Sequence, residues 1–129
     1  VLLGDGDATA DPAKGQIESG TRATNQCTQA VTEAKAAAAA ASPNATWVYS
    51  IAYLADTTTG TGKASCKTDA STVSACTTMQ NIASDPSKFY SVGGSCISSS
   101  NPNTTDLVSI FKNVATSLLK MRRIPNSTL

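Results

Sequence analysis

Thr46-Trp47-Val48-Tyr49-Ser50-Ile51-Ala52-Tyr53 is the stretch on which the fold turns. Val48, Ser50 and Ala52 alternate with Trp47, Tyr49, Ile51 and Tyr53, which is the two-residue period of a strand. Both sets are largely apolar, and a strand apolar on both faces belongs in a parallel sheet covered on both sides. Upstream, the pattern predicts a helix from about Gln26 to Ala41, with Cys27, Ala30, Val31, Ala34 and Ala38 on one face. Thr24 or Asn25 is placed to cap it, and Ser42-Pro43-Asn44 ends it. Residues 4–22 read as a polar, glycine-bearing loop, and Val1–Leu3 as a strand running into the acidic turn Asp5-Gly6-Asp7.

Downstream, residues 54–74 read as a long Thr/Gly/Ser loop, whose length calls for a staple or a function. A short helix is expected over Ala75–Ser84, with Cys76, Met79 and Ile82 on one side and a stop at Asp85-Pro86. Lys88–Val92 reads as a strand and residues 93–103 as a second loop carrying a cysteine. Thr105 or Asp106 then caps a helix from Leu107 to about Met121. Its Leu107, Ile110, Phe111, Val114, Leu118 and Leu119 are expected to form an unbroken core stripe. Lys120, Arg122 and Arg123 follow where cations suit the helix dipole. The order β-α-β-α-β-α predicts an α/β fold, a three-layer parallel sheet wound by right-handed crossovers. Three strands are few for such a sheet, and a core strand at residue 1 is unusual for a terminus. Residues 1–129 are therefore expected to be the C-terminal portion of one longer, incomplete domain.

Composition narrows the function classes. Lys and Arg number 10 against 9 for Asp and Glu, which gives no electrostatic case for nucleic acid or an anionic membrane. The chain has no His, the commonest general base and transition-metal ligand. It has no G-x-S-x-G elbow, and without a His to activate its many Ser and Thr hydroxyls an enzyme is not expected. No apolar run approaches the ~20 residues of a membrane span, so no membrane insertion by this segment is expected. Cys27, Cys66, Cys76 and Cys96 contain no CxxC pair. An even number in a Ser/Thr-rich chain of low charge predicts two disulfides and an oxidising compartment: extracellular, cell-surface or periplasmic. Asn44, Asn103 and Asn126 open N-x-S/T sequons that would accept N-glycans in a eukaryotic source, although such triplets also arise by chance here.

Four segments in order carry a resemblance. Val1–Ala8 (VLLGDGDA) resembles the strand and T/S-D-G turn of a von Willebrand factor type A (vWA) domain. Thr46–Tyr53 resembles the next vWA strand, Met79–Val92 (MQNIASDPSKFYSV) a following helix-to-strand segment, and Asp106–Ile124 (DLVSIFKNVATSLLKMRRI) the closing helix. The match covers the C-terminal half of that Rossmann-like family. The cysteine-bearing loops and the closing RRIPN are similar to vWA-like proteins encoded with bacterial tight-adherence (Tad) pilus systems. The resemblance implies a non-enzymatic binding or adhesion module associated with a pilus or cell surface. It also implies a metal-ion-dependent adhesion site at the carboxyl ends of the strands, taking Mg²⁺ or Ca²⁺ in an intact domain. Of that site only Asp5 has a match. No DxSxS occurs and Gly4 stands where Thr or Ser is usual, so no cofactor is expected for this chain alone.

The residues themselves make Asp5 and Asp7 the site candidates. Hard carboxylate oxygens at the end of a buried strand suit Mg²⁺ or Ca²⁺, with Asp7 the weaker, outer-shell member. An EF-hand reading of Asp5-x-Asp7-x-Thr9-x-Asp11 fails at Ala10 and Gln16, where Gly and Glu are needed. In a parallel α/β fold the four cysteines all fall at the edge that holds Asp5. Cys27–Cys66 with Cys76–Cys96 is the expected pairing, with all three connectivities open. Expected partners are a protein, the N-terminal half of the same domain, or a second copy. The competing class is a structural subunit of an extracellular filament, its first strand completed by a neighbouring chain through β-augmentation.

Overall fold

The computed structural model describes residues 1–7, 25–40, 46–62, 65–102 and 106–121. Within them, strands β1 (Leu2–Gly4), β2 (Ser50–Tyr53) and β3 (Phe89–Val92) form one parallel sheet in the order β1-β2-β3. Helices α1 (Gln26–Ala39), α2 (Ala75–Ile82) and α3 (Leu107–Met121) alternate with them. The chain is thus α/β with a small parallel sheet, as the two-sided apolar pattern of β2 requires.

The register assigns the faces. Leu2 aligns with Ser50 and Phe89, and Gly4 with Ala52 and Ser91. This set faces α1 and α2, where Ala52, Phe89, Met79, Ile82 and Cys76 are buried together with Ala30, Val31 and Ala34 packed against them. Leu3 aligns with Ile51 and Tyr90 on the opposite face. There Tyr49, Ile51 and Tyr90 are buried with Ile110 and Val114 of α3, and the Tyr49 and Ser117 hydroxyls lie 2.8 Å apart. Burial raises the pKa of the Tyr90 phenol, and the neighbouring Tyr49 adds to the shift. Three layers result.

Several boundaries differ from expectation. The ladder of β2 begins at Ser50, four residues past the predicted start at Thr46, where it pairs with Leu2 on one side and Phe89 on the other. Trp47 is consequently exposed, with the Lys88 ammonium 4.2 Å from its ring centroid. Helix α2 stops at Ile82, before the predicted Ser84. Residues 86–88 form a 3-10 turn in which the Asp85 carboxylate accepts from the Ser87 amide at 2.8 Å. Strand β3 then starts at Phe89, one residue past the prediction.

The stripe of α3 is the main correction. Ile110 and Val114 are buried, but Phe111 and Leu118 are each 45% exposed and Leu119 is 69% exposed. Only the edge of the apolar arc nearest the sheet finds a partner among the described residues. Right-handed crossovers, together with the right-handed turn of α3 running back along the sheet, place Phe111 and Leu118 on the β1 side of that helix. Its N-terminus is as expected: Asp106 accepts from the Ser109 amide at 2.8 Å. Hydrogen bonds from the Ser109 hydroxyl and amide hold its carboxyl below the ordinary range. Asn44, Asn103, Asn126, Thr9, Asp11, Gln16, Arg122 and Arg123 lie outside the described residues.

Candidate functional site

All three strands end at one edge, and the chain gathers its loops there. After β1, Gly6 takes φ +83° and lies so close to α2 that an added Cβ would fall 2.4 Å from the Ala75 carbonyl oxygen. Only glycine can bring the turn this near the start of α2. Asp5 and Asp7 flank that contact. The Asp7 amide donates to Asp5 Oδ1 at 3.1 Å, so Asp5 closes an Asx turn and its carboxylate remains solvent-exposed. Asp7 Oδ1 accepts from the Cys66 amide at 2.7 Å, a contact across 59 residues of sequence.

The structure pairs Cys27 with Cys66 and Cys76 with Cys96. The first bond lies against the Asp5–Asp7 turn, with the two sulfurs 3.5 and 3.4 Å from the Gly6 carbonyl oxygen. Disulfide sulfurs carry no proton, so these are packing contacts and not hydrogen bonds. Asp7, Cys27 and Cys66 bring their ligand atoms within 4.8 Å of one another. A metal would need thiolates there, and the disulfide leaves none. The trio is a staple that joins the β1 turn, the start of α1 and the 65–69 turn.

Asp69 completes the staple, and sequence reading missed it. Its carboxylate, nearly buried, accepts from the Cys27 amide at 3.1 Å and the Thr28 amide at 2.8 Å. It therefore caps α1 from a loop more than forty residues away. Asn25 occupies the N-cap position but sits in the left-handed region, φ 56°, and its side chain makes no capping bond. A local scan finds Asn25 because caps are sought next to the helix; nothing in the 54–74 loop marks Asp69 as a long-range cap.

The second disulfide ties α2 to the loop after β3. Ser74 and Thr77 form a reciprocal capping box at the start of α2, and the Cys76 amide donates to the Asp56 carbonyl at 2.9 Å. Thr57 donates through amide and hydroxyl to the Ser95 hydroxyl at 3.1 and 2.9 Å, linking the loops that follow β2 and β3. Asp56 Oδ1 accepts from the Thr58 hydroxyl and amide, and these bonds hold its carboxyl below the ordinary range. Leu54 (φ 54°) and Cys66 (φ 54°) are non-glycine residues in the left-handed region on these loops. Left-handed conformations cost L-residues roughly 1–2 kcal/mol and persist where their surroundings over-determine them.

The residues at this edge do not by themselves fit a hard cation. Mg²⁺ or Ca²⁺ takes about six or more oxygens. Asp5 and Asp7 each turn an oxygen to a backbone amide, and no further carboxylate joins them in a ligand trio among the described residues. The arrangement is a rigid, loop-built surface carrying the exposed Asp5. Comparison with known family models, curated proteins and solved structures finds no match to this chain.

Proposed function

We propose that the chain is a non-enzymatic extracellular binding and adhesion module, of vWA-like type and associated with a pilus or cell surface. The observation that carries this reading is the staple at the carboxyl edge. Two disulfides, Asp7 and Asp69 fix three loops around the Asp5 turn, at the edge where open parallel sheets bind ligands. The two disulfides also support an extracellular setting, and no helix among the described residues is long and apolar enough to cross a membrane. Metal assistance belongs to this reading only where an N-terminal half supplies a DxSxS loop. Binding of the labelled protein to cells bearing the pilus tests it. Asp5→Asn keeps the Oδ1 acceptor for the Asp7 amide, so it should fold as wild type by circular dichroism while lowering binding about tenfold. Equal binding by wild type and variant would remove the carboxyl edge as the ligand face.

A second reading has its own observation. Leu2 and Leu3 on the outermost strand are 43% and 46% exposed, which fits a structural subunit whose sheet a neighbouring chain extends.

A further inference from the structure

The two outer edges of the sheet are finished differently. Along β3 the chain closes its own edge. The Ser98 hydroxyl and the Asn101 side-chain amide both donate to the Phe89 carbonyl, at 2.7 and 2.8 Å, and the Ser98 amide donates to the Ser91 hydroxyl at 2.9 Å. Along β1, no strand pairs with the outer side among the described residues. Leu2 spends its amide on the Tyr49 carbonyl at 2.8 Å. Backbone groups alternate in direction along a strand, so the Leu3 amide and carbonyl point to the open side.

Both faces beside this edge are apolar. Toward α3 lie Leu3 and the exposed Phe111 and Leu118. Toward α1 and α2, Gly4 contributes no side chain, and a Cβ there would meet nothing nearer than the Gly6 nitrogen at 3.9 Å. Beside it is a cavity of about 220 Å³, lined by Leu2, Ala30, Thr78, Met79 and Ile82 and ending at Asp5 and Asp7. A cavity of roughly 150 Å³ already accepts benzene, so this one holds a large apolar side chain. Its lining carries two carboxylates and no cation.

We propose that the β1 edge is a docking site for one extended segment of a partner protein, with a definable chemistry. The segment pairs through its backbone with Leu3 and places a Leu- or Phe-sized side chain opposite Gly4, in the cavity. The residues on either side of that one are apolar and pack on the Leu3, Phe111 and Leu118 face. A lysine or arginine follows at the end beside Asp5 and Asp7. This inference rests on the second reading above, the sheet extended by a neighbouring chain, and gives that chain's segment a sequence pattern.

The test uses a fluorescein-labelled, capped peptide of sequence Thr-Val-Phe-Val-Thr-Arg, followed by anisotropy. Saturable binding is expected, weakened about tenfold by replacing Phe with Gly or Arg with Glu in the peptide. At position 4 a Cβ has room, so Gly4→Leu puts a side chain on the cavity from the protein's side and should weaken binding to the same degree. Circular dichroism and the melting temperature confirm that the variant is folded. Binding unchanged in folded Gly4→Leu, or no binding to wild type, overturns the inference. Sedimentation velocity separates the two ideas. Self-association abolished by Leu3→Lys, without peptide binding, makes a second copy the occupant: the partner-segment inference falls and the assembly reading stands. Neither self-association nor peptide binding removes both.

Discussion

Asp69 is the sharpest place to test the structure, because its role is invisible in the local sequence. Asp69→Ala removes the acceptor for the Cys27 and Thr28 amides at the start of α1. Losing an N-cap costs about 0.5–2 kcal/mol, and losing a negative charge from the helix N-terminus about 0.3–1 kcal/mol more. The site is nearly buried, so water replaces the lost acceptor poorly and the upper half of the range applies. The expected destabilisation is about 2 kcal/mol. With a urea m-value of about 1–3 kcal/mol/M, the unfolding midpoint should fall by roughly 1 M. Asp69→Asn keeps a carbonyl acceptor without the charge and should lose about half as much. Asn25→Gly is the control. Its side chain makes no capping bond and its φ is positive, a conformation glycine adopts at no steric cost, so its midpoint should move by less than about 0.5 kcal/mol equivalent. Equilibrium urea unfolding of the oxidised protein, followed by far-UV circular dichroism, reads all three. If Asn25→Gly proves costlier than Asp69→Ala, the cap is local and the long-range staple is refuted.

Other outcomes follow from the same packing. Gly6→Ala meets the Ala75 carbonyl at 2.4 Å and should cost more than about 3 kcal/mol, whereas Gly60→Ala, with open space around its Cβ, should cost about 1 kcal/mol; thermal melts compare them. Ile110→Ala should cost about 2–5 kcal/mol, but Phe111→Ser at most about 1 kcal/mol, and equal losses in urea would restore the unbroken core stripe. Replacing the Cys27–Cys66 pair with alanines should cost about 4 kcal/mol and the Cys76–Cys96 pair about 3 kcal/mol, because they close 39- and 20-residue loops. Asp56, Asp85 and Asp106 have carboxyls held below their ordinary range by hydrogen bonds from Thr58, Ser87 and Ser109. Their contribution to stability is therefore present above the unfolded carboxylate pKa and lost as pH falls through the lowered folded values. Asp56→Asn should flatten the acid limb of a pH–melting-temperature curve.

The element order, the parallel sheet and its two-sided cover were legible in TWVYSIAY and the helical periodicities around it, because period and polarity are local properties of a chain. The turn at Asp5-Gly6-Asp7 and the four cysteines at one edge were legible for the same reason: in a parallel α/β chain the topology alone sends those positions to one end. Partnership across the sequence was not. That Asp69 caps α1, that Asp7 holds the Cys66 amide, and that Gly6 lies against Ala75 depend on loops meeting in space, and each loop residue looks like an ordinary polar or turn residue in isolation. The exposure of Phe111 and Leu118 was hidden by the reverse effect. A hydrophobic stripe records only that a helix has an apolar face, and the width of sheet beneath α3 decides how much of that face is covered. Among the described residues β1 is the outermost strand, and only tertiary structure decides that Phe111 and Leu118 stay exposed beside a sheet this narrow.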